Sequence, residues 1–258
     1  LKILVCIKQV PDSADTLKID ESTGWVDYGR STVFRMNRFD EFAVEEGLLI
    51  QEKIPGTIVH ALSVGPARVS STIRRALEMG VHHGIHILDP QERYLSPFAI
   101  ASFIAAYAQS KGYDLILTGI MAEDDMACQV GQLVASLMDI PCATSVISEE
   151  IKIESRELFV EREIEGGYRQ SLVLALPAAV TIQPGINFPR YPSLSNVLRA
   201  RNQQQELIHA ENLAIPPERE VMKSLRLPDQ GTKGSFIEGS PREKARKLME
   251  ILHEKALI

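Results

Sequence analysis

Up to Pro141 the sequence alternates short apolar runs with stretches of helical periodicity, and this alternation limits the possible folds more than any other feature. Residues 2–7 (KILVCI), 57–64 (TIVHALSV), 84–88 and 114–118 read as strands; residues 39–52, 69–79, 97–110 and 129–138 read as helices. Strands apolar along their whole length are buried on both faces, and strands that alternate with helices build a parallel sheet covered on both sides. The expected class is therefore α/β, with a Rossmann-like parallel sheet of the adenine-nucleotide-binding type. Gly65-Pro66 ends the second strand, Gly80 and Gly112 close helices, and Asn37 is placed to cap the first helix. That helix is expected to bury Phe42, Val44, Leu48 and Leu49 and to turn Glu45, Glu46 and Glu52 to water. Residues 8–14 read as a polar loop and 17–27 as a small hairpin.

After Pro141 the period changes from helical to two. Residues 146–153, 158–164 and 168–174 read as consecutive strands with a tight Glu165-Gly166-Gly167 turn, and 178–182 as a last strand of the sheet. Residues 183–192 (QPGINFPRYP) hold three prolines and a glycine and cannot be regular. A short helix follows at 193–201, then a polar stretch at 202–205, an extended segment rich in Pro, Gly and charge at 213–239, and an amphipathic helix at 241–257. The net charge of −6 argues against a nucleic-acid surface, which needs clustered Lys and Arg. Cys6, Cys128 and Cys142 are odd in number and form no CxxC pair, so a reducing compartment and no disulfide are expected. No apolar run approaches the ~18 residues of a membrane span. Residue 1 is Leu, so an initiator Met is expected to be missing, and an organelle transit peptide removed ahead of it stays open.

The candidate site lies in residues 114–139, DLILTGIMAEDDMACQVGQLVASLMD, which read as strand, polar loop and helix. In an open parallel sheet, ligands sit at the carboxyl ends of strands, where the free N–H groups of a helix start attract phosphate. Gly131 allows close approach there. No GxxxxGK[ST] and no GxGxxG is present, so the alternative is an ordinary solvated acidic connection. His60, His82, His83 and His86 show no metal-ligand spacing and are expected to be solvated or packed.

Residues 160–180, VEREIEGGYRQSLVLALPAAV, resemble the signature of the electron-transfer flavoprotein beta subunit through Arg162, Glu165, Gly166, Gly167, Gln170, Leu172 and Pro177, with Ala179 smaller than the usual aliphatic. VCIKQV with Pro11-Asp12, MNRFDEFAVEEG at 36–47, SVGPA at 63–67 and NFPRYPSLSNVLRAR at 187–201 are similar to further stretches of that family in the same order. The resemblance implies a domain at 1–205 containing a partner-recognition loop at 183–201, and an arm and helix at 206–258 that embrace an alpha subunit holding most of the FAD. It implies an electron carrier with no catalytic residue or metal of its own. Electrons would pass from flavin dehydrogenases such as acyl-CoA dehydrogenase to a quinone reductase. The compartment would be the cytoplasm, or the mitochondrial matrix in a eukaryote.

The same resemblance implies a nucleotide buried in this subunit, structural AMP or, in bifurcating relatives, a second redox-active FAD. Its contacts carry over to Cys6, Asn37, Arg38, Phe39, Asp40 and Val64, and to Met121, Ala122, Glu123, Asp124, Asp125, Met126, Ala127, Cys128, Gln129, Val130, Gly131 and Gln132. The bulk of Asp125-Met126 favours AMP, whereas Gln129-Val130-Gly131 resembles the bifurcating type. Ser13 stands where some relatives place a tyrosine against the flavin. Leu194 is the expected docking anchor, with core burial as the alternative, and Arg199 and Arg201 would steer acidic partners. Residues 202–205 replace a lysine run of some relatives. The competing class is a nucleotide-using enzyme or a stress-type nucleotide-binding module on the same sheet.

Overall fold

A computed structural model describes residues 1–12, 18–227 and 234–257. The first strand, β1 (Lys2–Cys6), leads through the short β2 (Gln9–Pro11), the hairpin β3 (Lys18–Asp20) and β4 (Trp25–Asp27), and β5 (Phe34–Met36) to α1 (Arg38–Lys53). Then come β6 (Ile58–Gly65), α2 (Ser70–Met79), β7 (His83–Leu88), α3 (Pro97–Ala108), β8 (Leu115–Gly119) and α4 (Val130–Met138). The remainder is β9 (Cys142–Lys152), β10 (Glu157–Ile164), β11 (Tyr168–Ala175), β12 (Ala178–Ile182), α5 (Leu194–Asn202), β13 (Glu206–His209) and α6 (Pro241–Glu254).

The nine-stranded sheet has the order β11-β10-β9-β12-β8-β1-β6-β7-β13. Its centre is parallel, and β9, β10 and β11 form the expected antiparallel meander. Along β1 the side chains alternate between faces, as a pleated strand requires. Ile3 and Val5 enter one core, beneath α1 and α2; Leu4 and Cys6 enter the other, beneath α3 and α4. From β1 the chain builds outward through β6 and β7, then returns to place β8 on the other side of β1. The strand order thus reverses between β1 and β8, and a crevice opens at their carboxyl ends. Gly80 closes α2 with φ at +135° while its N–H reaches Ala76 and Leu77; Gly166 and Gly167 carry the β10–β11 turn at φ of +76° and +75°.

Several expectations are corrected. Gln9–Pro11 is not loop but pairs antiparallel with Phe34–Met36. The hairpin is present over β3 and β4, while Leu17 and Ser13 lie outside the described residues. Glu45 and Glu46 are buried, because the 183–192 loop lies over that face of α1. Glu45 takes a fork of hydrogen bonds from Arg190, and Glu46 one from Asn187 at 2.7 Å. The sheet also continues past residue 205: β13 pairs parallel with β7. One compact unit runs from Leu1 to Lys223 and a second from Ser224 to Ile258. In the second, Ser240 and Glu243 form a capping box at the start of α6, and Leu248 on its apolar stripe is half exposed.

Candidate functional site

Two glycines set the geometry of the crevice. A Cβ on Gly119, at the end of β8, would lie 2.5 Å from Asp40 Oδ1 and 2.7 Å from the Phe39 carbonyl carbon. A Cβ on Gly131 would lie 2.6 Å from Thr181 Cγ2 and 2.8 Å from Thr118 Oγ1. The start of α1 is therefore pressed onto the end of β8, and the first turn of α4 onto the ends of β8 and β12. At the N-cap of α4, Gln129 makes no side-chain cap bond, so its side chain leaves the first-turn N–H groups free to face an anion. Gln132, one of the expected nucleotide contacts, donates Nε2 to the Cys128 carbonyl at 2.9 Å, and its Oε1 is buried with no partner among the described residues.

Asp40 ties the two central strands together. Its Oδ2 accepts the Lys8 N–H at 2.7 Å and its Oδ1 the Gly119 N–H at 3.0 Å. Burial pushes its pKa up to about 7, against these hydrogen bonds, which lower it. Both its oxygens are thus engaged by the chain itself. Asn37 occupies the N-cap of α1, yet its side chain makes no cap bond. It donates to the Met121 carbonyl at 2.8 Å and accepts the Glu123 N–H at 3.1 Å, so it holds the loop that leaves β8. Glu123 in turn pairs with Arg35 at 3.0 Å and accepts the Arg38 N–H at 3.2 Å.

Lys8 and Arg35 escaped the sequence reading. Lys8 Nζ reaches Asp124 at 2.7 Å and Asp125 at 2.9 Å. Burial works against its ammonium, but the two carboxylates more than offset it, and its pKa lies above the ordinary lysine value. The available signal was a lone cation directly after the first strand, facing an acidic loop after the fourth main-sheet strand. The loop itself carries left-handed backbone at Met126 (φ +50°) and Cys128 (φ +55°), a conformation costing non-glycine residues about 1–3 kcal/mol each. Ala127 N–H donates to Asp125 Oδ1 at 3.0 Å, and Ala122 accepts the Met126 N–H at 2.8 Å. Met126 and Cys128 are exposed, as are Asp124, Asp125 and Gln129. Cys6 is buried at the end of β1, which pushes its thiol pKa far up, and Val64 is half-buried at the end of β6 against the same core.

A second cluster lies on the 183–201 stretch. Leu194 is 75% exposed, Phe188 92% and Tyr191 93%, so the core-burial alternative for Leu194 does not hold in this chain. Arg199 is exposed, and its Nη2 donates to the carbonyls of Leu77 at 2.9 Å and Val81 at 3.3 Å, fastening α5 to α2. Arg201 is exposed. The histidines are absorbed locally. His60 shares a hydrogen bond with Tyr113, His83 pairs with Glu206, His82 accepts the Val59 N–H and the His86 ring meets the Gly65 carbonyl. Among the described residues, no group of three or more His, Cys, Asp or Glu is placed to hold a metal ion.

Comparison with known proteins gives the family of the chain. A family model described as Electron transfer flavoprotein domain matches residues 28–212. The chain belongs to this family. It is similar to Electron transfer flavoprotein subunit beta of Bos taurus, 36% identical over 255 residues, covering 97% of this chain and 98% of that protein. Against the Homo sapiens subunit of the same name the identity is 36% over 255 residues, with 97% and 98% covered. Against that of Bacillus subtilis it is 31% over 268 residues, with all of both chains covered. The chain is thus the beta subunit of an electron transfer flavoprotein, an electron carrier whose assembly includes an alpha subunit, and not an enzyme. No helix among the described residues is long and apolar enough to cross a membrane.

Proposed function

We propose that this subunit holds one AMP as a structural ligand at the ends of β1 and β8, and presents the 183–201 stretch to flavin dehydrogenases such as acyl-CoA dehydrogenase. A quinone reductase would be the acceptor. The observation that carries the nucleotide reading is the convergence at the strand-order reversal. There the tight Gly131 approach sets the uncapped start of α4 beside the loop gripped by Asn37, Lys8 and Arg35. Main-chain N–H groups of Val130 and Gly131 would face the phosphate, because α4 fixes their direction. Cys6 and Val64 would lie beside the adenosine. Asn37 and Asp40 would act from behind the loop, since their polar atoms are held by the chain.

FAD, when bound mainly by the alpha subunit, supplies the electron-carrying chemistry. This chain's part is to hold its nucleotide, to contribute the portion of 206–258 beyond β13 as the arm that wraps the alpha subunit, and to dock partners. Leu194, Arg199 and Arg201 belong to the docking stretch, Arg199 as an internal fastener. The setting would be the cytoplasm of a bacterium or the mitochondrial matrix of a eukaryote. The second reading, a second redox-active FAD, rests on the Gln129-Val130-Gly131 run; the bulk of Asp125 and Met126, fixed by the hydrogen bonds of that loop, favours AMP. Mass spectrometry of nucleotides released from the purified heterodimer separates the two: one FAD and one AMP are expected, and two FAD would overturn the choice.

A further inference from the structure

The ion pairs of Lys8 join segments more than a hundred residues apart. Lys8 lies two residues beyond the end of β1, and its backbone is fixed on both sides: its N–H by Asp40 and its carbonyl by the Asn37 N–H at 2.9 Å. Its ammonium then reaches across to two consecutive acids of the loop after β8, Asp124 at 2.7 Å and Asp125 at 2.9 Å. Asp125 also accepts the Ala127 N–H, so the strain at Met126 and Cys128 is held by a carboxylate that Lys8 itself restrains. Asn37 and Arg35 grip the same loop further upstream, at Met121 and Glu123. Lys8 thus fixes the downstream half at Asp124 and Asp125, the half that runs into the start of α4, where Gln132 also holds the Cys128 carbonyl.

We infer that Lys8 is a positioning residue for the nucleotide: it latches the loop through Asp124 and Asp125, and loop closure and nucleotide occupancy favour each other through that latch. This rests on the nucleotide reading above. A ligand that requires the closed loop binds more tightly when closure is already favoured, and in turn stabilises it. The latch is half exposed, so its strength falls as salt screens it.

The test uses the heterodimer stripped of nucleotide. Calorimetric titration with AMP is combined with hydrogen–deuterium exchange of the peptide spanning residues 120–129. Lys8→Met is expected to weaken AMP about five- to tenfold and to speed exchange across that peptide. Lys8→Arg restores both, and Asp124→Asn with Asp125→Asn reproduces the loss. In the doubly substituted background Lys8→Met adds nothing further. The latch is overturned if Lys8→Met leaves exchange unchanged, or if it weakens AMP equally in the doubly substituted background, which would make Lys8 a direct ligand contact. Failure of the unmodified heterodimer to bind AMP would sink the nucleotide reading instead, while the exchange comparison still reports on the latch.

Discussion

Replacing Arg190 by Met examines how the 183–192 loop is fixed to α1. Arg190 donates its backbone N–H to Glu45 at 3.0 Å, its Nε and Nη2 to the same carboxylate at 2.8–3.1 Å, and its Nη1 to Glu52 at 2.6 Å. Breaking a buried ion pair by deleting one partner costs about 3–5 kcal/mol, because a charge is left without compensation. Here the Glu45 side chain is 5% exposed but that of Arg190 is 31% exposed, and the Arg190 N–H remains on Glu45 after the substitution. About 2 kcal/mol is therefore expected. For a unit of this size that lowers Tm by about 4–8 °C. Glu45→Gln keeps the shape and leaves Arg190 its Glu52 partner, so about 1 kcal/mol is expected. The double variant should lose about 1 kcal/mol less than the two singles combined, since no buried charge is then stranded. Thermal and denaturant unfolding of the four proteins gives the cycle. A Tm for Arg190→Met within a degree of the parent, or strict additivity in the double variant, would refute the view that this pair fixes the loop.

Gly131→Ala forces a methyl group into Thr181 and Thr118, and a cost of about 1–3 kcal/mol with loss of bound AMP is expected from unfolding curves and nucleotide content. Burial pushes the Glu46 carboxyl up to about 7, opposed by its hydrogen bond from Asn187 and reinforced by the neighbouring Glu149. A carboxyl whose folded pKa is raised favours the fold below its unfolded value of about 4.3, and loses that contribution as pH rises through about 7. Glu46→Gln should therefore stabilise the protein more at pH 8 than at pH 5, as read from denaturant midpoints at the two pH values. Leu194→Ala removes a side chain that is three-quarters exposed, so stability should change by no more than about 0.5 kcal/mol while stopped-flow electron transfer from a dehydrogenase slows. Unchanged transfer would count against the docking role.

What the sequence made legible is what local pattern encodes. Leu115–Gly119 is buried at every position, and a run apolar throughout has few readings other than a covered parallel strand. Gly80 and the Glu165-Gly166-Gly167 turn were readable because the chain needs positive φ there. What stayed hidden depends on partners far along the chain. Helical periodicity assigns Glu45 and Glu46 to a polar face, and the distant residues Asn187, Arg190 and Glu149 turn that face inward. Asn37 looked like a cap because its residue type and place fit one; its side chain is taken by Met121 and Glu123 instead. Strand β13 has only four residues at the sheet's edge, too few for a periodic signal. Lys8 stood in a loop whose acidic counterpart lies 116 and 117 positions away.

One helix underlies both candidate surfaces. The first turn of α1 carries Asn37 and the Arg38 N–H against the loop after β8, and its later turns carry Glu45, Glu46 and Glu52 against the loop after β12. Sixteen residues make a rod about 24 Å long, stiff on the scale of side-chain packing. The fasteners sit on the inner side of the second loop, while Phe188 and Tyr191 project into solvent. Under the proposed docking role, single substitutions at those projecting tips change partner preference and leave the rod and the crevice it braces unaltered.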